Sequence, residues 1–92
     1  MKETRTINLN GLVFHIDEDA YQTLRSYLQD IERRLPEEER GDVMTDIEAR
    51  ISELLQSDLF AKNVQVADAG MIERIKSRIG APSDFGENRR TH

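Results

Sequence analysis

Few residues in this chain have the type and spacing for chemistry, and they fall into two clusters. The first lies in NLNGLVFHIDEDAYQT, residues 8–23, where His15 is followed by Asp17, Glu18 and Asp19. An imidazole beside carboxylates is a donor set for a metal ion, or a general base with its orienting acid. The second is DIEARISELL, residues 46–55, with Asp46, Glu48, Arg50 and Glu53. Paired carboxylates of this kind do acid–base work when burial drives their pKa values apart. Whether either cluster converges on a point depends on the elements that carry it.

Residues 5–16 read as a β-hairpin. Asn10-Gly11 is the strongest short-range hairpin signal, because a type I′ turn needs positive φ at both central residues. A two-residue loop pairs Leu9 with Leu12 and Ile7 with Phe14, which puts these four on one face and Val13 and His15 on the other. Two strands alone are marginal in water, so the apolar face needs helices against it. At Ile16 the period changes. Asp17 is expected to be an N-cap whose carboxylate accepts from the first turn, with Ile16 and Tyr21 as a hydrophobic staple. Glu18 and Asp19 then sit where the helix dipole favours negative charge. Tyr21, Leu24, Leu28, Ile31 and Leu35 make an apolar stripe, with Ala20 and Tyr27 beside it, and the helix stops near Pro36.

A second helix begins in PEEERGDV, either at Pro36 or, because Gly41 weakens the first turns, at a later cap on Asp42. Val43, Met44, Ile47, Ile51, Leu54 and Leu55 share its buried face. Asp58 falls inside the apolar stripe, so the helix is expected to end by Ser57 or to turn its last residues to solvent. AKNVQVADAG reads as a loop with Val64 and Val66 extended. Asp68 caps a third helix carrying Met71, Ile72, Ile75 and Ile79, closed by Gly80 and Pro82. Ser83 and Phe85 suggest one short C-terminal turn. The expected fold is α+β, mainly α: a β-hairpin on a three-helix bundle, one domain over residues 1–86 with a polar tail at 87–92.

On these elements the first cluster comes apart. His15 faces away from the core, Asp17 is occupied at the cap, and Glu18 and Asp19 diverge by about 100° along the helix. The other histidine, His92, is at the far end of the chain. The reading is a hairpin exit and a helix cap, with no metal, cofactor or catalytic residue assigned. In the second cluster Asp46, Arg50 and Glu53 stand at spacings of four and three and are expected to pair on the surface. Glu48 lies at the margin of the apolar stripe, placed to reach a partner protein or an arginine of another helix. Tyr21, Tyr27, Val13 and the outer part of helix two exceed what three helices and a hairpin cover, and leftover apolar surface marks a partner or self-association site. The expected contact residues are Glu48, Arg50, Ser52 and Gln56 of helix two, with Val13 and His15 on the exposed hairpin face.

The absence of cysteine among 92 residues excludes a disulfide framework, a thiolate zinc site and a cysteine nucleophile. The net charge is −5, and the basic residues are scattered, with Arg33 and Arg34 ending helix one and Arg89 and Arg90 in the tail. Nucleic-acid binding is therefore not expected, since it needs a basic stripe. The start, MKETRTINLN, lacks the apolar core of a signal peptide. The longest apolar run outside the helical patterns is LVF, so the chain reads as soluble.

INLNGLVFHIDEDAYQTLRSYLQDIERRL, DIEARISELL and IERIKSRIGAPSDF together resemble the N-terminal cytoplasmic region of PspC-type (phage shock protein C) proteins of Bacteroidetes. LPEEERGDVMTDIEARISELL with the closing IGAPSDF is also similar to the HAAS signalling domain, a helical module of bacterial membrane proteins. The resemblance spans roughly residues 4–86. It implies a non-enzymatic regulatory module of an envelope-stress system, cytoplasmic and held at the inner face of the cytoplasmic membrane. The hydrophobic helix of the family lies outside these residues, so membrane attachment would come only through a segment this chain does not contain. The implied partner is a protein, with a homodimer among the options. Two other classes stay open: a transcriptional regulator, which would need a basic recognition helix, and a free-standing dimerisation or adaptor domain.

Overall fold

Asn10 and Gly11 adopt positive φ, 55° and 83°, as a two-residue type I′ turn requires. The turn joins β1 (Thr4–Leu9) to β2 (Leu12–Asp17), antiparallel, with Leu9 opposite Leu12, Ile7 opposite Phe14 and Arg5 opposite Ile16. A computed structural model describes residues 3–80 of the chain. Leu9, Phe14 and Ile16 are buried and Ile7 is half-buried, so the expected inward face is present; Leu12, at the tip, remains exposed.

The β2 strand passes without a loop into α1 (Glu18–Arg34). Asp17 holds the N-cap position but its carboxylate makes no capping hydrogen bond, which corrects the expected cap. Asp17 is still a strand residue, in register with Thr4. Alternation along the strand sends its side chain out with Val13 and His15, away from the first helical turn. The ladder reaches the helix itself, since the Glu18 amide donates to the Glu3 carbonyl at 2.7 Å. Along α1, Ala20, Leu24, Tyr27 and Ile31 are buried. Leu35 is extended (ψ 143°) and buried ahead of Pro36, as a residue before proline prefers.

The second helix, α2 (Glu37–Lys62), is one continuous rod of 26 residues. Of the two expected starts it takes the one at Pro36 and not the later cap at Asp42, and of the two expected endings it runs past Ser57 with residues 60–62 turned to solvent. A glycine costs only about 1 kcal/mol inside a helix, and it does not break this one; the Thr45 hydroxyl donates to the Gly41 carbonyl at 2.8 Å. The end comes at Asn63, left-handed at φ 57°, whose amide donates to the Leu59 and Phe60 carbonyls. Asparagine is the usual alternative to glycine in that role.

After α2 the chain makes β3 (Val66–Ala67), parallel to β2 with His15 opposite Val66 and Ile16 opposite Ala67. The sequence pattern indicated only an extended loop here, so the sheet has three strands in the order β1-β2-β3. In α3 (Ala69–Ile79) the Asp68 cap is as expected, its carboxylate accepting from the Met71 amide at 2.9 Å. The result is an α+β fold, mainly α, in which α1 and α2 pack on the sheet and α3 packs on α1 and α2. Its core is built around Ile16, Ile31, Ile51, Leu55, Ile72 and Ile75. Pro82, Ser83, Phe85, the short C-terminal turn and the 87–92 tail lie outside the described residues.

Tyr27 is buried, not left over for a partner as its place beside the stripe suggested. Its hydroxyl donates to the Gly80 carbonyl at 2.5 Å, and the Lys76 ammonium stands 5.5 Å from its ring centre. The α1 helix therefore holds the end of α3 by a side chain as well as by packing. Tyr27→Phe should lower unfolding stability by about 1 kcal/mol, the worth of one such hydrogen bond. Tyr27→Ala should cost about 3–5 kcal/mol through the cavity it leaves. Urea unfolding of both variants checks this; a Phe variant as stable as wild type would show that the hydroxyl bond contributes nothing.

Candidate interaction surface

The period-2 geometry that buries Phe14 and Ile16 turns Val13 and His15 to the outer face of the sheet. Val66, opposite His15 on β3, shares that face. The Val64 amide donates to the Leu59 carbonyl at 3.1 Å, which folds the link into β3 against the last turn of α2. Phe60 projects from that turn with 88% of its surface exposed. Leu12, Val13 (59% exposed), Phe60, Val64 and Val66 are the large apolar residues left exposed among the described ones. All five belong to β2, β3, the last turn of α2 or the stretch that joins α2 to β3.

The residues expected to meet a partner divide in the structure. Val13 and His15 lie on this outer face, where the Thr6 hydroxyl stands 3.4 Å from His15 Nδ1. Gln56 is exposed one helical turn before Phe60 and borders the same region. Arg50 is exposed but ten residues from Phe60, about 15 Å along the helix, and Glu48 is half-buried and farther still. Ser52 is a correction: it is 1% exposed, and its hydroxyl donates to the Ala49 carbonyl at 2.8 Å. It lies beside Ile51 and Leu55 on the buried side of α2. The line from Glu48 through Ser52 to Gln56 thus follows the core margin and not an open face.

Phe60, Val64 and Val66 are what the sequence pattern did not single out. Phe60 is nine residues beyond Ile51, about 180° around the helix from a fully buried position. The expected alternative of a last turn facing solvent turns it outward, as found.

The titratable clusters serve other ends. Asp46, Arg50 and Glu53 form no ion pair with one another among the described residues, in keeping with the small gain such exposed pairs offer. Ion pairs at three-residue spacing occur instead between Asp30 and Arg33 and between Glu73 and Lys76. In the first cluster it is Glu18 that is engaged: it accepts from Arg5 Nε at 2.7 Å and from Gln22 Nε2 at 2.9 Å. The Arg5 guanidinium also lies 4.7 Å from the Tyr21 ring centre. Among the described residues no three His, Asp or Glu side chains gather closely enough to hold a metal ion.

The hydrogen bond from Arg5, then that from Gln22, holds the Glu18 carboxyl below the usual glutamate range. A depressed carboxyl stabilises the fold above its unfolded pKa, and that contribution is lost as pH falls through the folded pKa. Arg5→Gln should move the Glu18 midpoint upward in a carbon-detected NMR titration and flatten the loss of stability in acid. An unchanged midpoint would show that the pair is not held in solution.

Among the described residues no helix is long and apolar enough to cross a membrane. No protein-family model, curated protein or solved structure matches the chain.

Proposed function

We propose that this chain is a non-enzymatic protein-interaction module of a regulatory protein, and that its partner docks on the outer β2–β3 side and the end of α2. One observation carries the reading: the large apolar residues left exposed among the described ones, Leu12, Val13, Phe60, Val64 and Val66, all come from β2, β3 or the segment that runs from the last turn of α2 into β3. Apolar side chains exposed singly are ordinary, whereas a concentration of them marks a contact surface. Phe60 has the character of an anchor, an aromatic ring with nearly all of its area still to bury. His15 and Gln56 supply the polar rim that such surfaces carry.

The resemblance to PspC-type proteins supports a regulatory role in the envelope-stress response. On that reading the module works in the cytoplasm at the inner face of the membrane, tethered through a segment outside this chain. The use made of the acidic residues agrees with a non-catalytic role, since Glu18 ties strand to helix and Asp68 caps α3.

A photo-crosslinking residue at position 60, compared with one at position 38, tests the proposal in source cells under envelope stress. Position 38 is exposed at the other end of α2, about 33 Å away. The expected result is a heavier adduct from position 60 alone, lost when Val13→Asp is added. Because Val13 and Phe60 are exposed, Val13→Asp and Phe60→Ser should each change unfolding stability by no more than about 0.5 kcal/mol. Equal adducts from both positions, or none from either, would remove the reading.

A further inference from the structure

We propose that two copies of the chain join edge to edge along β1, antiparallel, with the two-fold axis at Thr6, so that their sheets continue into one of six strands. The proposal does not rest on the partner surface above: it uses the backbone edge of β1, whereas that surface is built on β2, β3 and the end of α2.

It begins with the direction of the backbone groups. Leu9 and Leu12 flank a two-residue turn, so they exchange both of their hydrogen bonds, and the antiparallel pattern then alternates. Ile7 and Arg5 bond inward to β2, while Thr4, Thr6 and Asn8 direct their N–H and C=O groups away from it. The bond from the Glu18 amide to the Glu3 carbonyl fixes the same phase at the far end of the ladder. Because the strand order is β1-β2-β3, the outward groups of Thr4, Thr6 and Asn8 form the free edge, and all three residues are exposed.

Free edges are commonly blunted by lysine, proline, a bulge or short length. This one is six residues long, in unbroken register, with none of these devices. Its single charge, Arg5, is an inward-pointing charge of the kind that can guard an edge, but here Glu18 pairs it at 2.7 Å and it lies over the Tyr21 ring. Just inside the edge lies an apolar groove of about 180 Å³ lined by Ile7, Leu9, Tyr21, Leu24 and Leu28, with Arg25 on its border.

The occupant is a second copy because the edge is complementary to itself. Thr4, Thr6 and Asn8 are evenly spaced about Thr6. A two-fold axis there pairs Thr6 with the partner's Thr6 and Thr4 with the partner's Asn8, using every outward group of the three residues on both chains. On the outer face this sets threonine against threonine, a favourable cross-strand pair. On the inner face Arg5 stands opposite the partner's Ile7, so no like charges face each other. The inward side chains of the added strand extend over the apolar groove.

Sedimentation equilibrium of the 92-residue chain, with two edge variants, tests this. Wild type should sediment at twice the chain's 10.6 kDa. Thr6→Pro removes an outward N–H and leaves the bonds to β2 in place; it should raise the dimer dissociation constant at least about tenfold, with the helical circular dichroism unchanged. In this cysteine-free chain, Thr6→Cys should crosslink to itself on mild oxidation, since a hydrogen-bonded pair places Cα atoms about 5.5 Å apart, within disulfide reach. Thr4→Cys should not, because it faces the partner's Asn8. A chain that stays monomeric at millimolar concentration overturns the proposal. So does a dimer that survives Thr6→Pro but dissociates with Phe60→Ser, or a Thr6→Cys variant that crosslinks no faster than Thr4→Cys.

Discussion

A two-residue turn leaves the chain a single register, and from Thr4 to Asp17 that register decides where every residue points. The even positions of β2 face inward, which buries Phe14 and Ile16 under the helices. The odd positions face outward, which exposes Val13 and His15 and costs Asp17 its capping role. On β1 the same parity places Arg5 above Tyr21 and beside Glu18, and turns the backbone groups of Thr4, Thr6 and Asn8 away from β2, without a partner strand among the described residues. A slip of one residue would invert all of these together. The Asn10-Gly11 pair is therefore the position on which both faces and the free edge depend.

The helices answer a second constraint, the need to cover one face of a small sheet. The α1 and α3 helices are amphipathic and present narrow apolar stripes; α2 is longer than the core beneath it. In its middle Ile47, Ile51, Ser52 and Leu55 are buried, and its last turn runs past the protein interior. That overrun is why Asp58 is tolerated only half-buried and why Phe60 is left in solvent. The Tyr27 hydroxyl on the Gly80 carbonyl fastens the shortest helix to the first one.

Much of this was legible in the residues. The hairpin, its register, the Pro36 break and the Asp68 cap each have a local chemical cause within a few positions. What was not legible depends on contacts distant in sequence. A two-residue strand such as Val66–Ala67 has no pattern of its own and exists because β2 offers a partner 51 positions earlier (66 − 15). Ser52 looked like surface because serine usually is, and only the packed fold shows it beside Ile51. The surface around Phe60 was half visible: Val13, His15 and Gln56 were expected contacts, and a last turn of α2 facing solvent was one of the two expected endings, but periodicity does not say that an aromatic ring there is a contact.

Three consecutive residues, Val66, Ala67 and Asp68, have three different environments. Val66 is exposed beside His15, Ala67 is fully buried against β2, and Asp68 caps α3. No slack separates them. A push on Val66 that moved the strand by one position would shift it about 3.3 Å, turn Ala67 out of the interior and draw the Asp68 carboxylate off the Met71 amide. The outer face and the start of α3 are in this sense one mechanical linkage. Ala67 is thus the joint between the outer face and the helix that leads to Gly80, where the Tyr27 hydroxyl holds its end.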